Sequence, residues 1–104
     1  MIYEVYTTGR FDKEMRKVSG KENQRIENFY KQLKENPYVG DQLQIKVLRE
    51  KRLNGKRVYY LIFDDLNSVL MVALSDKKAQ QKVIDFIIKN INTFRETVIK
   101  FKNN

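Results

Sequence analysis

Residues 46–74 read KVLREKRLNGKRVYYLIFDDLNSVLMVAL, and the fold turns on how this stretch is divided. Three runs rich in apolar, aromatic and β-branched residues, Gln44 to Leu53, Arg57 to Phe63 and Ser68 to Leu74, are separated by Asn54-Gly55 and by Asp64-Asp65-Leu66-Asn67. Asn-Gly between two strand-like runs is the strongest short hairpin signal, because a tight two-residue turn needs positive φ at both central positions. Asp64-Asp65 reads as a second turn rather than a metal site. The three runs therefore predict an antiparallel meander. Val69 to Leu74 is apolar at every position, which predicts a strand buried on both faces in the middle of the sheet.

A two-residue turn at Asn54-Gly55 also sets the pairing. Leu53 then faces Lys56, Arg52 faces Arg57, Glu50 faces Tyr59 and Leu48 faces Leu61. Alternation of side chains places Lys46, Leu48, Glu50, Arg52, Arg57, Tyr59, Leu61 and Phe63 on one face. Two arginines directly opposite each other repel. Glu50 beside them offsets part of that charge, and truncating Arg57 is expected to preserve or slightly improve folding.

Upstream, Ile2 to Thr7 mixes aromatic and β-branched residues and reads as an opening strand. Phe11, Met15 and Val18 then recur at helical spacing, as do Ile26, Phe29, Tyr30 and Leu33 before Asn36-Pro37. This predicts a helical hairpin broken near Ser19-Gly20. Downstream, Ser75 or Asp76 caps one long helix, Ala79 to about Phe101, with Val83, Phe86, Ile87, Ile91, Phe94 and Val98 on its apolar side. The order of strand, helical hairpin, three-strand antiparallel meander and C-terminal helix predicts an α+β layer structure with helices against one face of the sheet. The 104 residues suit a single domain over 1–104.

Charge narrows the partner. Lys and Arg number 21 against 13 Asp and Glu, a formal net charge of +8, which favours a polyanion. The excess is local: Lys46 to Arg57 holds six basic residues and one acid. Cysteine is absent, the start MIYEVYTT shows no basic segment followed by an apolar one, and no apolar run is long enough to span a bilayer. Cytoplasm, with no membrane association, is the expectation. With neither Cys nor His, imidazole acid-base chemistry and thiolate attack are excluded and zinc lacks its usual ligands. No glycine-rich phosphate loop is present, and no cofactor or metal is expected.

The sequence resembles the RelE/ParE toxin superfamily. The resemblance lies in the opening strand and helical pair, in Lys34 to Gly40, and above all in Lys56-Arg57-Val58-Tyr59-Tyr60, Asp64-Asp65, Val69 to Leu74 and Lys77-Lys78. It implies a RelE/ParE-like α+β fold and a toxin of a toxin-antitoxin module. Its implied activity is metal-free endoribonuclease cleavage of mRNA, on the ribosome, under control of a cognate antitoxin. An inhibitor of DNA gyrase and a non-catalytic nucleic-acid-binding domain are the alternatives on the same fold. The resemblance also assigns Arg57 to the scissile phosphate and matches Lys78 to the basic residue after the last strand. Arg52 lies on the strand from which ribonuclease members project catalytic lysines. One position departs: Ile84 stands where ribonuclease members often place a tyrosine.

Metal-free cleavage needs a 2′-hydroxyl to attack the adjacent phosphate while the protein supplies charge and a proton relay. Arg57 and Arg52 are the candidates for holding the non-bridging oxygens. A lysine crowded by cations gives up its proton more readily, which makes Lys51 and Lys78 candidates for base or acid, with Glu50 a rival base. Lys46, Arg49, Lys56, Lys77 and Tyr59 are the candidate RNA contacts. Lys77 and Lys78 open the last helix, where the helix dipole disfavours cations but free amides suit a phosphate. Part of the last helix is a candidate docking surface for the antitoxin or for a second copy in a homodimer.

Overall fold

A computed structural model describes residues 2–104. The strands are β1 (Glu4–Thr7), β2 (Asp41–Gln42), β3 (Leu48–Leu53), β4 (Lys56–Phe63) and β5 (Ser68–Ser75); the helices are α1 (Gly9–Met15), α2 (Gly20–Glu35), α3 (Gln80–Lys89) and α4 (Ile91–Lys102). One five-stranded sheet has the order β1-β5-β4-β3-β2, with β1 parallel to β5 and the other neighbours antiparallel. The α+β meander expected from the sequence is present, and β5 lies inside the sheet and is buried on both faces.

The hairpin register is the expected one, with Leu53 opposite Lys56, Arg52 opposite Arg57, Glu50 opposite Tyr59 and Leu48 opposite Leu61. Asn54 at φ 52° and Gly55 at φ 86° supply the two left-handed residues of the turn. The second turn is a 3-10 turn over Asp64–Leu66, closed by Asn67 in the left-handed conformation. The β4–β5 register slips between Tyr59 and Tyr60. The slip puts Val72 and Ala73 in the same core cluster, and the Val72 carbonyl accepts from Thr8 Oγ1 at 2.7 Å.

Two expectations are corrected. Helices cover both faces of the sheet, not one. Phe11 of α1 and Ile26, Phe29 and Leu33 of α2 pack on Val58, Tyr60, Ile62, Val69 and Met71. Val83, Ile84, Ile87 and Val98 of α3 and α4 pack on Tyr59, Leu61, Leu70 and Val72 from the other side. An all-apolar central strand demands this, since a bare face would leave Leu70 and Val72 in water.

The C-terminal segment is also two helices rather than one. Asn90 ends α3, with its side-chain Nδ2 donating to the Phe86 carbonyl at 2.8 Å, while its own carbonyl accepts from Phe94 N as α4 begins. A straight helix over residues 80–102 would run about 35 Å at 1.5 Å per residue, more than the longest molecular dimension of 33 Å. The bend keeps Val98 on the sheet. Phe86, expected in the apolar stripe, is 43% exposed, and Ile84 takes the core position. Among the described residues no helix is long and apolar enough to cross a membrane.

Candidate functional site

The turn-side halves of β3 and β4 and the start of α3 meet around Glu50. This carboxylate is 4% exposed, and its Oε1 accepts from Arg57 Nη1 at 2.8 Å and from Gln80 Nε2 at 3.0 Å. Alternation in β3 and β4 puts Glu50 and Arg57 on the same face, and the packing of α3 on that face brings Gln80 over them. The hydrogen bond to Glu50 raises the Arg57 pKa, partly opposed by desolvation. Arg57 is thus a permanent cation, its side chain only 12% exposed and aimed by a buried anion.

Arg52 lies across from Arg57 but turns outward. It is well exposed and stands 3.6 Å from Asp41 of β2. Each of the two opposed arginines therefore has its own carboxylate, and the expected mutual repulsion does not govern the site. That overturns the inference that losing Arg57 leaves folding untouched: Arg57→Ala would strip Glu50, nearly closed off from water, of its cation.

Behind Glu50, Tyr59 is fully buried and its hydroxyl shares a 2.8 Å hydrogen bond with Ser75 Oγ. Burial pushes the Tyr59 pKa up. A ring with no exposed surface cannot stack on a base, so Tyr59 is a packing residue and not the RNA contact expected. Asp76 caps the 3-10 turn Lys77–Ala79 that precedes α3, accepting from Ala79 N at 3.1 Å. This capping carboxylate already occupies an amide that the sequence reading offered to a phosphate. Lys77 and Lys78 are exposed beside it, and among the described residues neither forms an ion pair.

The remaining candidates are scattered. Lys51 projects from the opposite face of β3, its Nζ 6.0 Å from the Phe29 ring, so the sheet separates it from Arg57. The same odd-numbered side holds Arg49, whose Nη1 donates to the Gly40 carbonyl at 2.8 Å and whose guanidinium lies 4.9 Å over the Tyr38 ring. Arg49 clamps the segment before β2. Lys56 lies with Glu14, Lys17 and Leu74 toward α1. Lys46 lies with Tyr38, Asp64, Asp65 and Arg95 near the other end of the sheet. The strand expected from Gln44 begins only at Leu48, so Lys46 lies in the turn ahead of β3, off the end of the strand remote from Arg52. Of ten candidate residues, Arg57, Glu50 and Arg52 share one face, and Lys77 and Lys78 lie in the turn that leads to Gln80.

Sequence reading missed Gln80 and Asp41, which the fold brings to Glu50 and Arg52. Neither carries a local signal; their roles depend on which strand end the α3 start covers and on the pairing of β2.

No protein-family model matches the chain, and no curated protein matches it in sequence. The solved structures do. The chain is similar to E. coli toxin RelE, in a doubly substituted form in the free state, with 19% identity, a TM-score of 0.75 and coverage of 88% of this chain and 99% of that one. The fold is that of the RelE toxins. The RelE–RelB complex of Pyrococcus horikoshii matches with a TM-score of 0.69 at 19% identity over 74% of this chain and 97% of that one. The RelBE2 toxin-antitoxin complex of Mycobacterium tuberculosis matches with a TM-score of 0.65 at 20% identity over 74% and 93%. At these identities the RelE likeness is one of fold, and it leaves the roles of Arg57, Glu50 and Lys78 to the site itself.

Proposed function

We propose that this RelE-fold chain is the toxin of a toxin-antitoxin pair and acts as a metal-free endoribonuclease on mRNA, restrained by a cognate antitoxin. The observation that carries the proposal is the Glu50–Arg57–Gln80 cluster beside exposed Lys77 and Lys78. Arg57 supplies a preorganised charged donor for a non-bridging phosphate oxygen. Glu50, held by Arg57 and Gln80, is the base for the 2′-hydroxyl. Lys78, exposed at the approach to α3, is the acid for the leaving 5′-oxygen. Arg52 binds a flanking phosphate. Lys51 has no part in this scheme, because the sheet stands between it and the reacting groups.

Glu50 also explains how such a site is kept folded when empty. A bare Arg57 beside Arg52 and the lysines would repel them, whereas a buried carboxylate neutralises it and fixes its direction. A phosphate arriving at the free edge of the guanidinium leaves the Glu50 bond in place, since Arg carries five donors in a planar fork.

The test compares wild type, Arg57→Lys, Glu50→Gln and Lys78→Ala for cleavage of single-stranded RNA and of ribosome-bound mRNA, with DNA supercoiling followed in parallel. Loss of about a hundredfold in rate is expected for Arg57→Lys, by analogy with the removal of one transition-state donor. Glu50→Gln, which keeps shape but removes the base, is expected to slow cleavage while leaving RNA affinity near wild type. Cleavage undiminished in both variants refutes the assignment. RNA binding without cleavage in the wild type marks a non-catalytic RNA-binding domain, and altered supercoiling with intact mRNA marks a gyrase inhibitor.

A further inference from the structure

Phe86 has no place in the core. Val83, Ile84 and Ile87 fill the sheet side of α3, all 4% exposed or less, while Phe86 on the same helix is 43% exposed. The other exposed aromatic rings have partners that hold them: Phe101 stacks on Tyr6 at 5.2 Å, and the Tyr38 hydroxyl donates to Asp64 beneath the Arg49 guanidinium. Phe86 touches Phe94 edge-on at 6.0 Å and presents its face to Arg10, whose guanidinium carbon is 5.4 Å from the ring centre.

Arg10 is itself held in position. Its Nε donates to Glu14 Oε2 at 3.4 Å, and Glu14 Oε1 accepts from Leu74 N of β5 at 2.9 Å. The guanidinium is thereby tied through one carboxylate to the sheet, with its terminal nitrogens free of protein partners among the described residues. Arg10, Ala79, Lys82, Val83 and Phe86 line an open recess of about 310 Å³. Lys82 and Phe86 are four residues apart on α3, with exposed Lys78 in the 3-10 turn just ahead of it, so two exposed cations precede the ring. A flat aromatic face, a flat cation and a run of ammonium groups are the components with which proteins hold an unpaired nucleotide, the base on the planes and the backbone on the charges.

We propose that Arg10 and Phe86 form a stacking site for one unpaired base of single-stranded RNA, with Lys82 and Lys78 carrying the phosphates between it and Arg57. The site deepens the RNA reading above and rests on it. Gln80, which touches Glu50, and Phe86 are six residues apart on one helix, about 9 Å along its axis and about 120° apart around it, so a strand that passes Arg57 reaches Phe86 by wrapping around the start of α3. Stacking is indifferent to base identity, because every base has a π-face; the site adds affinity and register, not sequence choice.

The chain contains no tryptophan and six tyrosines, so Phe86→Trp makes a single-tryptophan protein whose emission, excited at wavelengths tyrosine does not absorb, reports on this position alone. Full-length Phe86→Trp is titrated with an unstructured single-stranded RNA oligonucleotide of mixed sequence and, separately, with inorganic polyphosphate of matched charge. Quenching by RNA and none by polyphosphate is expected. In filter binding, Phe86→Ala is expected to weaken RNA affinity roughly tenfold, and Phe86→Leu, which keeps an apolar side chain without a π-face, is expected to weaken it as much. Melting temperatures should stay close to wild type, as the ring is largely outside the core. Wild-type affinity in Phe86→Ala, or equal quenching by polyphosphate, overturns the stacking site while leaving RNA binding intact. Wild-type affinity in Phe86→Leu with loss in Phe86→Ala overturns it in favour of a non-stacking apolar contact with the RNA. Failure of the wild type to bind RNA in the same assay overturns this site together with the RNA reading.

Discussion

Removing one oxygen atom from the core should destabilise this protein severely. Tyr60 is fully buried on the α2 side of β4. Its hydroxyl donates to the Pro37 carbonyl at 2.7 Å and accepts from Gly40 N at 2.9 Å. Burial raises its pKa to about 12, so the hydroxyl is a neutral donor at any ordinary pH. These two bonds fasten the segment between α2 and β2, and with it the short strand that carries Asp41 to Arg52. Tyr60→Phe keeps the ring and its edge-on contact with Phe29 at 5.5 Å, but leaves a buried donor and a buried acceptor unpaired. At about 1–3 kcal/mol for each such group, the loss is about 2–6 kcal/mol. Against a typical total of about 5–15 kcal/mol that is a large share. A domain of this size loses about 4–8 °C per kcal/mol, so the melting temperature should fall by about 8 °C at the least. Urea denaturation should show a lower midpoint at unchanged slope, because the surface exposed on unfolding is the same. A fall of less than about 3 °C would show that Pro37 and Gly40 find other partners, and the reasoning from paired buried polar groups would be wrong for this site.

Gly40→Ala should destabilise through the same contact, since a Cβ there would stand 2.5 Å from Tyr60 Oη and 2.7 Å from the Glu50 carbonyl oxygen; in a double-mutant cycle by calorimetry, its loss and that of Tyr60→Phe should sum to more than the double variant loses. Arg57→Ala should lower the melting temperature, and Glu50→Gln in the same chain should recover part of the loss by removing the stranded charge; a melting temperature unchanged by Arg57→Ala would refute the buried-pair account. Acid should loosen α4 first. The ion pair with Arg95 holds the Asp65 pKa below its ordinary value, and the bond to Lys102 does the same for Glu4. A lowered folded-state pKa contributes stability above the unfolded value near 4 that is lost as pH falls through the folded one. Amide exchange in residues 91–102 should therefore quicken below about pH 4 before exchange in the sheet does, and Asp65→Asn should flatten that dependence.

How much of this was legible in the sequence depends on the range of the interactions involved. Asn54-Gly55 and the alternation around it specify the pairing of β3 with β4 residue by residue, because turn geometry and a period of two are local properties. The same alternation already separates Lys51 from Glu50 and Arg57, so its side of the sheet was readable even though its charge made it a tempting base. Ser19, at the expected break of the helical hairpin, caps α2, while Asp76, expected to cap the long helix, caps the 3-10 turn ahead of α3, each as a side-chain acceptor next to free amides.

Tertiary packing decided the rest. The bend at Asn90 comes from the need to keep the last turns of apolar residues on a sheet shorter than the helix they would otherwise form, a comparison of lengths that no window of sequence contains. That bend is accompanied by Ile84 in the core and Phe86 at the surface, where helical periodicity over one long helix had placed Phe86 inward. The sequence by itself determined the order of elements, the hairpin register and the basic cluster. Only the folded chain decided that Arg57 is buried against Glu50, that Arg52 finds Asp41, and that Gln80 closes the site. Such contacts join residues up to 30 positions apart, and their strength depends on the water the packing excludes rather than on the residues' own preferences.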